Sequence, residues 1–282
     1  MILVLHEDAF GDSRNAQFLA KAAELAYLPS EEGKAAYLAE LGLVANLISV
    51  HNTQAWVGSD QYNIVVAFRG TESPDKIEGL KDWLLTNAMN LLVLPQGRLG
   101  TDLAAAGVGA RFHQGFADAI GSVWDDVYSM VNSAMGKSER PLWITGHSLG
   151  GALALFAGWL CIRKMVNVHQ IYTFGAPMIG NQAAVTAFNR EFKGKLFRYV
   201  NMNDPVPRLP MYSLVANEFA HCAEERILGA QESEGGESQL EWSLARGVVD
   251  GVINATLLET IWDSVQGRVA AHGMDYYRKL LG

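Results

Sequence analysis

Cysteine is scarce in this chain. Two in 282 residues, Cys161 and Cys222, are too few for a disulfide framework or a cysteine-ligated metal site. Cys161 lies in an apolar helical run, where cysteine behaves as a small buried hydrophobe. Positive charge is in deficit as well: 22 Lys+Arg against 30 Asp+Glu leave a formal net charge of −8. Without a basic stripe, a nucleic-acid function and steady docking on anionic membranes both lack support. Long apolar runs are missing. The longest, 149–162, includes its own glycines and is too short to cross a bilayer. The start, MILVLHEDAFGDSR, has no basic n-region, long h-region or cleavage site. The chain as written is therefore expected to be soluble and cytoplasmic, with secretion requiring a removed export segment or a non-classical route.

What the chain does hold is core-forming material: 49% hydrophobic residues and only 18% charged, a balance that leaves little room for disorder. Residues 14–28 set Phe18, Leu19, Ala22 and Ala26 at helical spacing until Pro29-Ser30 interrupts, and a short helix is expected over 34–41. Strands are expected at 43–50, 53–57 and 62–68, separated by short turns. After a long connection, 71–112, the order is helix 116–135, strand 142–145, helix 149–165, strand 168–174, helix 181–192 and strand 195–200, with helical stretches at 240–267 and 274–281. Strands alternating with helices predict an α/β fold: a mostly parallel sheet covered on both faces, with antiparallel edge strands on the N-terminal side. No repeat or linker interrupts it, so a single domain over 1–282 is expected, with 232–239 (ESEGGESQ) as an exposed loop.

Gly146-His-Ser-Leu-Gly150 matches the G-x-S-x-G turn that presents a nucleophilic serine between a strand and a helix. The need for glycine is steric: Ser148 must sit in a strained turn, and side chains two residues either way would clash. Helix N–H groups from Leu149 onward aim at the same place and favour a developing oxyanion. Such a site needs an acid and a base beyond the serine. Asp204 stands just past a strand, where open α/β sheets keep functional groups, and is followed by two stiffening prolines in Asn203-Asp-Pro-Val-Pro207. Asp250, Asp263 and Asp275 fall in helical stretches and read as solvated faces. His169, His221 and His272 all follow the serine; the loop position of His272 favours it without deciding the matter.

Six segments in the same order resemble the class 3 (fungal-type) lipases of the α/β-hydrolase superfamily. Ile64-Val-Val-Ala-Phe-Arg-Gly-Thr71 resembles that family's strand and oxyanion loop, and His113-Gln-Gly-Phe116 its entry to the helix before the nucleophile strand. Thr173-Phe-Gly-Ala-Pro-Met-Ile-Gly-Asn181 resembles the turn after the next strand. Asn203-Asp-Pro-Val-Pro-Arg-Leu-Pro210, Phe219-Ala-His221 and Ala271-His-Gly-Met-Asp-Tyr276 resemble the acid loop, a structural histidine and the catalytic histidine segment. The resemblance implies an α/β-hydrolase fold and a serine carboxylester hydrolase, foremost a triacylglycerol lipase, with Ser148 as nucleophile, Asp204 as acid and His272 as base. It further implies an oxyanion hole from the N–H groups of Thr71 and Leu149, a lipid or other ester substrate, and no cofactor or metal. Phospholipase A1, galactolipase and feruloyl esterase use the same scaffold, and a non-catalytic lipase-like binding module is the rival from another class.

Ser73 and Pro74 are suited to open a short helix whose Ile77, Leu80 and Leu84 share one face, with Trp83 beside them. Beside an oxyanion loop, such an amphipathic helix resembles the family's lid, expected at about 73–85. Residues 212–270 exceed what a triad requires and are expected to form a cap or extra helices.

Overall fold

The computed structural model describes residues 3–71, 92–136, 138–207, 219–229 and 266–282. The expected lid, with Ile77, Leu80, Trp83 and Leu84, lies outside the described residues, as do the loop at 232–239 and most of the expected cap.

Seven strands form the main sheet: β1 (Val44–Val50), β2 (Thr53–Ser59), β3 (Ile64–Phe68), β6 (Leu142–His147), β7 (Gln170–Phe174), β9 (Leu196–Asn201) and β11 (Glu225–Leu228), in spatial order β1-β2-β3-β6-β7-β9-β11. The first two pairings are antiparallel and the next four parallel, the arrangement expected from the alternation of strands and helices. Two-residue strands β4 (Leu92–Val93), β5 (Phe112–His113), β8 (Gly180–Asn181) and β10 (Phe219–Ala220) pair into a second, small sheet. Strands this short carry no periodicity, so the sequence gives no signal for them.

Side chains alternate across the main sheet, as the period of two requires. Ile64, Val66 and Phe68 of β3, Leu142 and Ile144 of β6 and Ile171 of β7 face one side. There they meet α4 (Gln114–Met135), α5 (Leu149–Arg163) and α6 (Gln182–Glu191), through Phe116, Ile120, Val123, Phe156, Leu160 and Phe188. Val65, Ala67, Trp143, Tyr172 and Tyr199 face the other side. They pack against α1 (Ser13–Leu25), α2 (Ser30–Leu41) and α7 (Met274–Leu281) through Phe18, Leu19, Tyr37 and Tyr277. A five-residue helix α3 (Gly100–Ala104) lies in the long connection.

The second helix begins at Ser30, four residues before the expected start. Glu31-Glu32-Gly33 hides the apolar period, yet Pro29 suits the position before a helix and the two acids suit its positive N-terminal end. It closes on Gly42 at φ 69°, the left-handed conformation that glycine adopts without strain. Among the described residues no helix is long and apolar enough to cross a membrane.

Candidate active site

The carboxyl ends of β6 and β9 set the geometry. β6 runs to His147, two residues longer than the alternation predicts, and α5 starts at Leu149. Ser148 alone connects them, at φ 57° and ψ −131°, a strained conformation for a residue with a Cβ. The turn is possible because its neighbours lack side chains. A Cβ on Gly146 would overlap the Gly150 carbonyl, and one on Gly150 would overlap the Phe68 carbonyl of β3. Ser148 occupies the helix N-cap position, yet its side chain makes no capping bond, so the hydroxyl is not used to hold the helix. The backbone is held from the other side, where Ser148 N–H donates to Phe174 O at 2.9 Å. The first N–H groups of α5 have no acceptor within the helix.

Asp204 follows β9 through a tight turn closed by its N–H on Asn201 O at 2.9 Å. Its carboxyl group is buried (1% exposed) and fully engaged. Oδ1 accepts Val206 N–H at 2.9 Å, and Oδ2 accepts Tyr277 O–H at 2.6 Å and His272 Nδ1–H at 2.7 Å. A buried carboxylate with three donors is the condition under which its charge is tolerable inside a protein. Burial first, and the neighbouring carboxylate second, push the Tyr277 phenol well above its ordinary range, so it remains a donor. Its oxygen accepts Asn201 N–H at 3.0 Å, and Asn201 Nδ2 donates to Ala271 O at 2.7 Å. The acid turn and the His272 segment are thereby fastened to each other.

His272 ends a 3₁₀ turn (Gln266–His272) leading into α7 and is 2% exposed. With Nδ1 given to Asp204, its Nε2 is left buried without a hydrogen-bond partner among the described residues. No bond joins it to the Ser148 hydroxyl in this structure, and such bonds tighten when substrate arrives. Thr71 Oγ1, at the end of the segment after β3, is buried and unpartnered among the described residues in the same way. Gly175, at φ 59°, makes room for the pair: a Cβ there would stand 2.7 Å from Asp204 Oδ2 and 3.0 Å from His272 Nδ1.

The other two histidines lie apart from this arrangement. His221 donates from Nε2 to Pro207 O at 2.7 Å, bracing the loop after Asp204. Burial first, then the charge of Arg198, depress it to about 3, so it stays neutral. His169 packs edge-on against Trp143 and donates to Glu7 O at 3.0 Å, at the opposite ends of the strands. Asp275 is exposed on α7; Asp250 and Asp263 lie outside the described residues. Arg69 donates from its guanidinium to Asn52 O in the β1–β2 turn at 3.0 Å. Leu92 is buried, whereas Leu94 and Val108 are exposed. Among the described residues no group of three His, Cys, Asp or Glu side chains is arranged to hold a metal ion. Tyr277 is the contributor that sequence reading missed. Tyr276, the tyrosine in the matched segment, is partly exposed, and the next residue reaches the acid.

The class 3 lipase family model matches residues 65–214, a span holding Ser148, Asp204 and the Thr71 loop. A secreted mono- and diacylglycerol lipase of Fusarium solani is 30% identical over 208 residues, covering 71% of this chain and 54% of that protein. A chloroplastic phospholipase A(1) of Arabidopsis thaliana is 27% identical over 157 residues, 52% of this chain and 34% of its own length. The chain thus spans about half the length, or less, of these curated relatives. The crystal structure of a mono- and diacylglycerol lipase from Aspergillus oryzae superposes with a TM-score of 0.63 at 22% identity, covering 80% of this chain and 83% of that one, so the α/β-hydrolase architecture is shared. The chain belongs to the class 3 lipase family.

Proposed function

We propose that this protein is a serine carboxylester hydrolase acting on fatty-acyl esters, with acylglycerols as its substrate class. The observation that carries the reading is the Asp204–His272 contact at 2.7 Å, with His272 Nε2 unpartnered among the described residues beside a serine on a strained turn. His272 Nε2 takes the Ser148 proton as the hydroxyl attacks the ester carbonyl, and Asp204 holds the ring in the tautomer that leaves Nε2 free. The N–H groups of Leu149 and Thr71 receive the tetrahedral oxyanion, aided by the Thr71 hydroxyl. The imidazolium then protonates the leaving alcohol. Water, activated by the same ring, releases the fatty acid from the acyl-enzyme. A single domain carries this site, and a lid within 73–85 would screen it from water.

Triacylglycerols remain a substrate in this reading, and the names of the fungal relatives add mono- and diacylglycerols. Phospholipase A1 activity is the second reading, favoured by the plant relative. The test is hydrolysis of p-nitrophenyl esters from acetate to palmitate, then of mono-, di- and triacylglycerol and phosphatidylcholine, beside Ser148→Ala. Turnover that prefers long chains and falls by at least about 10⁴-fold in Ser148→Ala supports it. A wild-type enzyme without esterase activity, whose Ser148 resists organophosphate labelling, refutes it.

A further inference from the structure

One buried titratable group beside the site has no step in this mechanism. His147, 1% exposed, precedes the nucleophile, and its ring lies against that of His272 with centroids 4.5 Å apart and planes tilted by 34°. Its Nε2 stands 2.6 Å from the main-chain carbonyl of His272, and its Nδ1 stands 2.8 Å from the hydroxyl of Tyr27. Tyr27 comes from the turn after α1, outside the span that the family model matches.

The proton positions follow from the partners. A carbonyl cannot donate, so His147 Nε2 carries the hydrogen. Burial, reinforced by the neighbouring His272, keeps His147 well below its ordinary value and hence neutral. A neutral imidazole has one N–H, which leaves Nδ1 as an acceptor and makes the Tyr27 O–H its donor. The Tyr27 hydroxyl also packs against Gly70 of the oxyanion loop. The approach is close enough that a Cβ on Gly70 would overlap the Tyr27 hydroxyl. Two hydrogen bonds therefore run in one direction, from Tyr27 through His147 to the His272 carbonyl, starting from a hydroxyl seated against Gly70. Aligned bonds of this kind polarise one another.

We propose that Tyr27 and His147 are positioning residues that tie the main chain of the base to the oxyanion loop, so that both keep one register relative to Ser148. The proposal rests on the hydrolase reading given above. Neither residue has a proton-transfer or bond-making step in the proposed chemistry. They act on the two parts that must meet the ester from opposite sides of its carbonyl, where small displacements cost rate more than binding. A neutral His147 also lets His272 take up a proton without a second cation stacked on its ring.

The experiment uses the full chain and has two independent readouts. The first is ¹⁵N NMR of selectively labelled histidine at pH 7, expected to find His147 protonated at Nε2 only. In Tyr27→Phe the Nδ1 signal should move to that of an acceptor without a donor. This readout needs no turnover. The second is steady-state hydrolysis of p-nitrophenyl butyrate. Tyr27→Phe should lower kcat on the order of tenfold or more at unchanged KM, and His147→Phe further, at temperatures where both variants are fully folded. A His147 protonated at Nδ1, or doubly protonated, overturns the assignment. So does a Tyr27→Phe enzyme with wild-type kcat, or one whose loss lies entirely in KM. A wild type with the expected tautomer but no Ser148-dependent turnover overturns the hydrolase reading, and the catalytic half of this proposal with it.

Discussion

The two faces of the main sheet are built from different materials. Under α4, α5 and α6 the core is mostly aliphatic and phenyl, with Leu153, Phe156, Leu160, Ile171 and Phe188 beside Trp124 and Trp159, and among the described residues it holds no buried tyrosine. Under α1, α2 and α7 the same sheet meets the tyrosines Tyr37, Tyr172, Tyr199 and Tyr277 and buried polar groups. Tyr37 donates to Ala22 O at 2.6 Å, Thr145 to Leu19 O at 3.1 Å, and Asn15 Nδ2 to His6 O at 2.9 Å and Ala9 O at 2.8 Å. Tyr27, His147 and Tyr277 belong to this side. An apolar layer maximises burial per residue and has no preferred direction. A hydrogen-bonded layer adds little net stability per bond but fixes angles. The first face therefore holds the fold, and the second aims the side chains at the carboxyl ends of β6 and β9.

That division can be broken at graded points. Phe156→Ala, in the apolar layer, should lower unfolding free energy by about 3–5 kcal/mol through the cavity it leaves. Any surviving folded enzyme should keep near-normal kcat; an equally large activity loss in folded protein would dissolve the distinction. Gly175→Ala should behave in the opposite way. Its Cβ would press on Asp204 and His272 at a left-handed backbone position, and kcat should drop about a hundredfold with the far-UV spectrum unchanged. Wild-type activity there would mean that the pair tolerates displacement. Tyr277→Phe removes one donor from Asp204 and should reduce kcat about tenfold, near 1.4 kcal/mol. A purely thermal phenotype would place Tyr277 with the apolar layer.

The smallest effect concerns pH. His221 titrates near 6.5 when unfolded but at about 3 in the folded chain, because burial and Arg198 disfavour its charge. Between those values the unfolded state binds more protons, so stability falls as pH drops through the window. His221→Gln keeps a donor for Pro207 O and should flatten that slope while changing stability little at neutral pH. Comparing melting temperatures of the two proteins from pH 7 to pH 4 separates His221 from His147, whose burial has the same sign. Parallel curves would count against the buried neutral state of His221.

The parallel sheet with its antiparallel edge was legible because strands buried on both faces carry continuous apolar runs and their helices are long enough to show a period. The glycines around Ser148 were legible because their requirement is steric and local. The choice among histidines was not. Whether His221 or His272 reaches Asp204 depends on where chain segments 17 and 68 residues away return in space, and no local pattern encodes that. Tyr277 escaped notice for a similar reason. Which of two adjacent tyrosines faces inward is set by the phase of α7 against β9, and the short helix leaves that phase to tertiary packing. The two-residue strands had too few residues to show a pattern at all.

Ser148 and Asp204 come from the middle of the chain, but His272 rides on the segment that leads into α7, and α7 is clasped by α1. Gln17 Nε2 donates to the carbonyls of Leu281 and Gly282 at 2.8 and 2.6 Å, and Arg278 meets Glu24 at 2.6 Å. Chains emerge from the ribosome N-terminus first and can fold as they go. The elbow and the acid turn can thus be in place while 266–282 have yet to be made. Until 266–282 dock on a helix synthesised more than two hundred residues earlier, Ser148 lacks the ring that the proposed mechanism assigns as its base. In the proposed mechanism, a nascent chain that has not yet docked α7 on α1 carries Ser148 in a silent form, and that docking is what arms it.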